Sequence, residues 1–223
     1  PMWKGKYSEK LVNNKIQDLP EEYVVFNDLL FESNGYSTQI DHIVVSPYGV
    51  FVIETKGYKG WILGRENGEY WTQTIYKSKH QFYNPIKQNA GHVRFLHHLL
   101  KCSTDILFIP IVVFNNSAEL KVHADNNIVV NRYNLKRAIL QYRTAVLNQE
   151  TINWIIQTIN QNRIIADKEK LKQHKHNAKA RQYRSSRLIN QGVCPQCGGH
   201  LILGKASTAL SMDVQTFPHA SLP

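Results

Sequence analysis

Residues 39–56 read Gln39-Ile40-Asp41-His42-Ile43-Val44-Val45-Ser46-Pro47-Tyr48-Gly49-Val50-Phe51-Val52-Ile53-Glu54-Thr55-Lys56. Two runs of β-branched and aromatic residues flank a Pro-Tyr-Gly turn, a pattern that predicts a β-hairpin. If the loop is Tyr48-Gly49, Asp41 lies directly opposite Lys56. Glu54, two residues before Lys56, then shares their face of the sheet. A slip of one residue would move Asp41 to the other face, so the predicted register is the one that gathers three charges into one patch.

Three charged residues in otherwise apolar strands indicate a functional site rather than a role in stabilising the sheet. Two carboxylates about 4 Å apart repel by roughly 4 kcal/mol at an effective dielectric of about 20, and one lysine relieves only part of this. Mg²⁺ or Mn²⁺ suits such an oxygen-rich site, and metal-bound water beside a lysine can hydrolyse a phosphodiester. The alternative is a cross-strand Asp–Lys ion pair on a half-solvated sheet. Because strands apolar on both faces are buried, where unpaired charge is rare, we favour the metal site.

Composition indicates a soluble globular domain with a basic appendage. The 223 residues include three cysteines, too few for a disulfide framework, and no apolar run is long enough for a membrane span. We therefore expect a cytoplasmic protein with no membrane partner. We divide the chain into a domain of residues 1–165, a basic helical linker of residues 166–190 and a tail of residues 191–223.

The positive charge is concentrated in the linker. Of a formal net charge of +10, residues 166–190 contribute eight Lys or Arg against two acidic residues, a net +6. Such a segment predicts a polyanionic partner, most often nucleic acid, and we expect DNA to bind through residues 167–190. A solvated basic linker is the alternative.

Periodicity gives a coarse outline of the remaining elements. It predicts helices at residues 5–19, 84–101, 135–147 and 151–166, with Asn84 as the N-cap of the second. It also predicts a strand at residues 23–28, a short edge strand at residues 127–130 and a buried central strand at residues 107–114. A second hairpin is predicted from residues 61–63 and 70–75, with its turn at Glu66-Asn67-Gly68. Its aromatic residues could stack on nucleic-acid bases or pack the sheet.

The tail contains a Cys-x-x-Cys knuckle. The glycines that follow Cys194 and Cys197 predict a tight turn that carries the two thiols. Tetrahedral Zn²⁺ needs four ligands, and no second cysteine pair follows. His200 and His219 are the soft ligands that remain downstream. We expect an incomplete tail in which Cys194 and Cys197 form half of a Zn²⁺ site.

Several motifs in fixed order resemble the nuclease-related domain (NERD) family, which is grouped with the PD-(D/E)xK nucleases of restriction-endonuclease-like fold. The matching segments are residues 5–9, with Ser8 where a glycine is usual, Gln39–His42, Gly49–Lys56, Gly60-Trp61, Trp71 and Phe82–Asn89. The resemblance covers about residues 5–100. The fold that we expect is α/β, with a mixed, largely antiparallel central sheet and helices on both faces.

The resemblance implies roles for the charged hairpin. Asp41 and Glu54 would be metal-binding carboxylates, and the Thr55 carbonyl would be an additional ligand of Mg²⁺ or Mn²⁺. Lys56 would orient or activate the attacking water and offset charge in the transition state.

Two further residues and the tail also match known patterns. Gln88 would act near the nucleophile and Glu9 would be an acidic neighbour of the metal. For Gln88 the alternative is a polar residue of the first helical turn that faces water, and for Glu9 a solvated helix face. The knuckle of Cys194 and Cys197 resembles half of a topoisomerase-type zinc ribbon.

We therefore expect a Mg²⁺-dependent hydrolase, a nuclease that cleaves phosphodiester bonds in DNA. A catalytically inactive nucleic-acid-binding module with the same fold and basic tail is the main alternative. A protein-interaction domain that keeps the fold is a third possibility.

Overall fold

The computed structural model describes residues 2–33, 36–100, 106–164, 191, 201–205 and 210–214. Its helices are α1 Met2–Ile16, α2 Pro85–Leu99, α3 Leu135–Leu140 and α4 Gln149–Asn162, with a 3₁₀ turn at Arg132–Asn134. Its strands are β1 Val24–Ser33, β2 Tyr36–Ser46, β3 Gly49–Lys56, β4 Gly60–Arg65, β5 Tyr70–Ile75, β6 Ser78–Tyr83, β7 Phe108–Phe114, β8 Ala118–His123, β9 Ile128–Asn131, β10 Leu201–Lys205 and β11 Leu210–Val214. The chain divides into two compact units, Pro1–Ile165 and Ala166–Pro223.

The first unit contains a five-stranded mixed sheet in the order β1-β2-β3-β7-β9. The β1–β2 and β2–β3 pairs are antiparallel, whereas β3–β7 and β7–β9 are parallel. The predicted α/β class with a mixed central sheet is confirmed, although only half of the strand pairs are antiparallel. The apolar run of β7 lies inside the sheet and β9 forms its edge, as predicted.

Helices cover both faces of this sheet. Apolar side chains of α2 and α4, among them Leu96, Ile155 and Ile159, pack on one face with Val50 and Val52. The opposite face packs against α1 and α3. Burial of these two apolar faces is the main stabilising term of the fold. The helices on both faces therefore hold the ends of the strands in place.

The predicted helix at residues 135–147 is wrong beyond Leu140. The chain turns back there, because the Tyr142 ring packs edge-on against Phe51 at 5.5 Å. The N–H groups of Val146 and Leu147 both donate to the Pro47 carbonyl. Tertiary contacts with the hairpin turn thus override the helical periodicity of this segment.

The hairpin register differs from the predicted one by two residues. Ser46 pairs with Gly49, so the loop is Pro47-Tyr48 rather than Tyr48-Gly49. The Ser46 hydroxyl accepts the Tyr48 N–H and donates to the Gly49 carbonyl, each at 3.2 Å. Gly49 has a φ of +135°, which glycine adopts without strain. A shift of two residues keeps Asp41 on the same face of the sheet as Glu54. It changes the residue across from Asp41 on β3, which is now Glu54 and no longer Lys56.

A second sheet, in the order β6-β5-β4-β8, lies in the same unit. The predicted hairpin of β4 and β5 is confirmed, with Trp61 paired to Thr74 and Leu63 to Thr72. Strands β6 and β8, which complete this sheet, had not been predicted. Its inner face packs the Trp71 ring against Phe114 at the end of β7.

In the second unit the described residues form one antiparallel hairpin, with Leu201 paired to Val214 and Lys205 to Leu210. The basic segment of residues 167–190 and the predicted Zn²⁺ half-site at Cys194 and Cys197 lie outside the described residues. Within the described part of the chain, every helix is too short or too polar to cross a membrane.

Candidate active site

The candidate site lies where strand pairing stops. The β2–β3 ladder ends at the pair His42–Ile53. On its other side, the β1–β2 ladder is interrupted between the pairs Asn27–His42 and Leu29–Ile40, next to Asp28, whose φ is +50°. Asp41 lies at this interruption, and its Oδ2 accepts the Thr55 N–H at 2.8 Å. The carboxylate thus binds the backbone of β3 just beyond the last ladder pair.

Glu54 is a buried carboxylate, and each of its two oxygens has a partner. Its residue is only 3% exposed. Oε1 accepts a hydrogen bond from the Lys56 ammonium at 2.7 Å, and Oε2 lies 3.1 Å from His92 Nε2. Burial alone would raise the pKa of Glu54, but Lys56 and His92 outweigh it and lower this pKa to about 2. Glu54 is therefore ionised at neutral pH.

Lys56 joins the strand to helix α2. Besides Glu54, its ammonium donates to Gln88 Oε1 at 2.8 Å. Burial lowers the pKa of Lys56, but the charge and hydrogen bond of Glu54, with the charge of Asp41, more than compensate and raise it above the ordinary value. Lys56 is consequently protonated at neutral pH and acts as a donor and a positive charge.

Gln88 is positioned by the start of α2. Asn84, the predicted N-cap, accepts the Ile86 N–H at 2.9 Å through its side chain. The Asn84 amide also donates to the carbonyls of Glu66 and Gly68, which ties this helix start to the β4–β5 turn. The structure therefore brings Gln88 to Lys56, whereas the alternative had it facing water.

Asp41 is the carboxylate of the site whose negative charge is least well compensated by its neighbours. Burial raises its pKa well above the ordinary value, and the charges of Glu54 and Glu9 raise it further. The Thr55 N–H and the Lys56 charge oppose this only in part. Glu9 of α1 therefore acts electrostatically on Asp41 across the interface between helix and sheet. An additional positive charge beside Asp41 would relieve this excess of negative charge.

Two residues of α2 complete the site, and neither was assigned a role from the sequence. An ionised carboxylate can only accept, so His92 Nε2 donates to Glu54, while His92 Nδ1 lies 3.1 Å from the Thr38 hydroxyl. Asn89 is fully buried and donates to the carbonyls of Val52 and Ile111, on the adjacent strands β3 and β7. The available signal was helical spacing, because residues 88 and 92 are one turn apart and so share a face.

The side chains fit a hard divalent cation better than a soft one. Among the residues that the structure describes, no three His, Cys, Asp or Glu side chains lie close enough to hold a metal by themselves. Zn²⁺ sites usually need three or four such ligands. Mg²⁺ is commonly held by one or two carboxylates and keeps several waters, which matches Asp41 and Glu54. The raised pKa of Asp41 is consistent with a place for a cation there.

Comparisons with known proteins identify the family of the chain. The profile of the family described as "Nuclease-related domain" matches residues 4–115, which include Glu9, the charged hairpin and Gln88. An uncharacterized protein of Bacillus anthracis is 36% identical over 190 residues, which cover 82% of this chain and 88% of that protein. No solved structure matches the chain. The chain belongs to the nuclease-related domain family.

Proposed function

We propose that this protein is a metal-dependent nuclease that hydrolyses phosphodiester bonds in DNA. The main support is the group of Asp41, Glu54, Lys56 and Gln88 at the carboxyl end of β3, which combines two carboxylates with a half-buried ammonium. A structural ion pair would explain Glu54 with Lys56, but not a second carboxylate that burial and its neighbours destabilise in the charged form.

Asp41 and Glu54, with the Thr55 carbonyl, would hold Mg²⁺ or Mn²⁺. When bound, such an ion supplies an activated water and offsets charge on the phosphate. His92 and Lys56 fix the orientation of the Glu54 carboxylate, because each donates to a different oxygen. The remaining lone pairs of Glu54 would therefore face a bound cation in an orientation that the protein fixes, and not one that solvent sets.

Lys56 would stabilise charge rather than accept a proton. Its pKa is raised, so a neutral amine is scarce at neutral pH. The contacts with Glu54 and Gln88 use two of its three ammonium hydrogens. The third can donate to a phosphate oxygen or to the attacking water, and Gln88 holds the ammonium in position for it.

Plasmid cleavage in Mg²⁺ and in Mn²⁺ tests the proposal. We expect Asp41→Asn and Lys56→Gln each to reduce the cleavage rate by about 10²–10³ or more, the usual cost of losing an electrostatic group that acts on the transition state. Glu150→Gln is the matched control, because it makes the same change from carboxylate to amide at an exposed position of α4. Glu150→Gln should cleave at the unmodified rate.

Two outcomes would overturn this function. Cleavage undiminished in both site variants would remove the assigned roles. DNA binding with no cleavage in either metal ion would favour the inactive nucleic-acid-binding module instead.

A further inference from the structure

The second sheet has one buried face and one exposed face. Side chains alternate along its strands, so the inner face carries Ile62, Trp71 and Phe82, all buried. The strand register places the outer residues in rows across the sheet. From β6 to β8, two complete rows are Lys79–Thr74–Trp61–Glu119 and Gln81–Thr72–Leu63–Lys121. Beyond them, Tyr83 pairs with Tyr70 and Arg65 pairs with His123.

Two aromatic residues of the outer face are partly exposed, and the Tyr70 ring packs edge-on against Tyr83 at 6.2 Å. Trp61 is 49% exposed and Tyr70 is 40% exposed, and Leu63 between them is 40% exposed. The sequence left open whether the aromatic residues of this hairpin pack the sheet or stack on bases. The structure divides them, because Trp71 packs inside while Trp61 and Tyr70 face outward.

The charges of this face are mainly positive. Its outward residues include three basic side chains, Arg65, Lys79 and Lys121, and one acidic side chain, Glu119. The Lys121 ammonium lies 3.8 Å from the centre of the Trp61 ring and 3.2 Å from the Glu119 carboxylate. Both members of this ion pair are exposed, so Lys121 can exchange Glu119 for another anion at little cost.

Rings and cations lie side by side on the outer face. Strand geometry puts Trp61 and Tyr70 about 14 Å apart on the neighbouring strands β4 and β5, with Leu63 and Thr72 between them. Lys121 lies on β8, on the other side of β4, and Arg65 is the last residue of β4, at the end where β5 begins. Stacking rings combined with cations along the backbone path are the common pattern of surfaces that bind single strands without sequence preference. A second copy of the chain fits less well, because two such faces would oppose like charges.

The surface is close to the candidate active site along the chain. Trp61 is five residues after Lys56, which limits the distance between their Cα atoms to about 18 Å. At the other edge, β6 leads through Asn84 into the helix that carries Gln88. A strand held on the outer face could therefore continue to the site.

We propose that the outer face of this sheet docks a single strand of nucleic acid, with bases stacked on Trp61 and Tyr70 and phosphates paired with Lys121 and Arg65. This role rests on the proposed nuclease function for its purpose, because it presents an unpaired strand to Asp41 and Glu54. Its physical basis, exposed rings with interspersed cations, is independent of catalysis.

The test measures binding of a short fluorescein-labelled oligothymidylate to the full chain by anisotropy, in EDTA so that no cleavage occurs. Trp61→Ala and Tyr70→Ala should each weaken binding about tenfold or more, and Trp61→Phe should retain most of the affinity. Trp154→Ala is the matched control, because Trp154 is also 40% exposed but lies on α4. It should bind as the unmodified chain does.

Equal affinities for Trp61→Ala and Trp154→Ala would overturn the proposal. If Trp61→Ala fails to fold by circular dichroism, Leu63→Glu tests the same surface, and unchanged binding there has the same meaning. Loss of a dimer in Trp61→Ala, with oligothymidylate binding unchanged, would assign the face to a second copy instead. Ring-dependent binding by a chain that cleaves no plasmid would refute the nuclease function alone, whereas cleavage with ring-independent binding would refute the docking surface alone.

Discussion

Glu54 and Asp41 lie on the same face of the hairpin but in different electrostatic surroundings. Glu54 accepts from Lys56 and lies against His92, and its pKa is lowered to about 2. The pKa of Asp41 is raised, first by burial and then by Glu54 and Glu9. In the absence of a cation, ionised Glu54 therefore stabilises the fold, while ionised Asp41 destabilises it. Such a difference is expected of a metal site and not of a structural ion pair.

We predict opposite effects of two neutral substitutions on the stability of the metal-free protein. Asp41→Asn should raise the melting temperature, because the amide keeps an oxygen for the Thr55 N–H and removes the unfavourable charge. Glu54→Gln should cost about 3–5 kcal/mol, because Lys56 loses its buried counter-ion. Thermal melts in EDTA at neutral pH measure both, since about 1 kcal/mol shifts the midpoint by about 2–4 °C in a chain of this size. A lower melting temperature for Asp41→Asn would identify Asp41 as a structural partner.

The same argument predicts the pH dependence of that difference. A carboxyl group whose pKa is raised on folding takes up protons as the chain folds, so stability falls as pH rises through the raised pKa. The advantage of Asp41→Asn should be absent near pH 3 and complete above the raised pKa. Melts of both proteins as a function of pH check this, and a constant difference would contradict it.

At the scale of secondary-structure elements, the second sheet supports the strand that carries the site. Trp71 stacks on Phe114 at 6.1 Å, and Phe114 is the β7 partner of Lys56. Trp71 also donates through Nε1 to the Arg65 carbonyl at 3.0 Å. A Cβ at Gly64 would fall on the Trp71 ring. Gly64 thus allows Trp71 to pack against Phe114, the residue beside the end of β3.

We predict that Gly64→Ala lowers the unfolding free energy by about 1–3 kcal/mol, the usual cost of overpacking. Gly91→Ala is the matched control, because a Cβ there meets only the Arg94 guanidinium at 3.8 Å. Gly91 lies inside α2, so alanine should stabilise the protein by about 0.5–1 kcal/mol. Urea unfolding measures both. Equal effects of the two substitutions would show that Trp71 can yield without disturbing the sheet.

Elements with strong local signals could be predicted from the sequence. The Asn84 cap, the apolar run of β7 and the charged hairpin were identified because capping and burial leave a pattern within a few residues. The hairpin register was not, because Ser46 and Pro47 close the turn through contacts that periodicity does not contain. Strand β6 was missed because four of its six residues are polar and it depends on pairing with β5. Strand β8 was missed although its apolar and polar residues alternate, because six residues of such alternation are a weak signal without the pairing to β4.

At the scale of the whole molecule, the residues of the candidate site come from distant parts of the sequence. Asp41, Glu54 and Lys56 could be grouped from strand alternation, but His92 joins them through a contact across 38 residues. Gln88 and Glu9 could be named from family resemblance, whereas their placement beside Lys56 and Asp41 depends on how α2 and α1 pack on the sheet. Local patterns therefore predicted which residues of the hairpin lie together, and helix packing adds the others to the candidate site.

The basic segment of residues 167–190 gives the last prediction. Replacing its eight Lys and Arg with Gln in the full chain should flatten the dependence of duplex DNA affinity on salt, because each neutralised phosphate contributes about −0.9 to the slope. Exchanging Lys for Arg and Arg for Lys at the same positions preserves the charge and should leave the slope unchanged.

Cleavage of a short substrate at saturating concentration should survive these replacements, because the candidate site lies within Pro1–Ile165. Trp61→Ala should show the converse, a lower affinity for single strands at every salt concentration with the same slope, because stacking releases no counter-ions. Titrations at several salt concentrations separate the two contributions. An unchanged slope in the Gln variant would make residues 167–190 a solvated linker and leave the folded domain as the DNA-binding part of the chain.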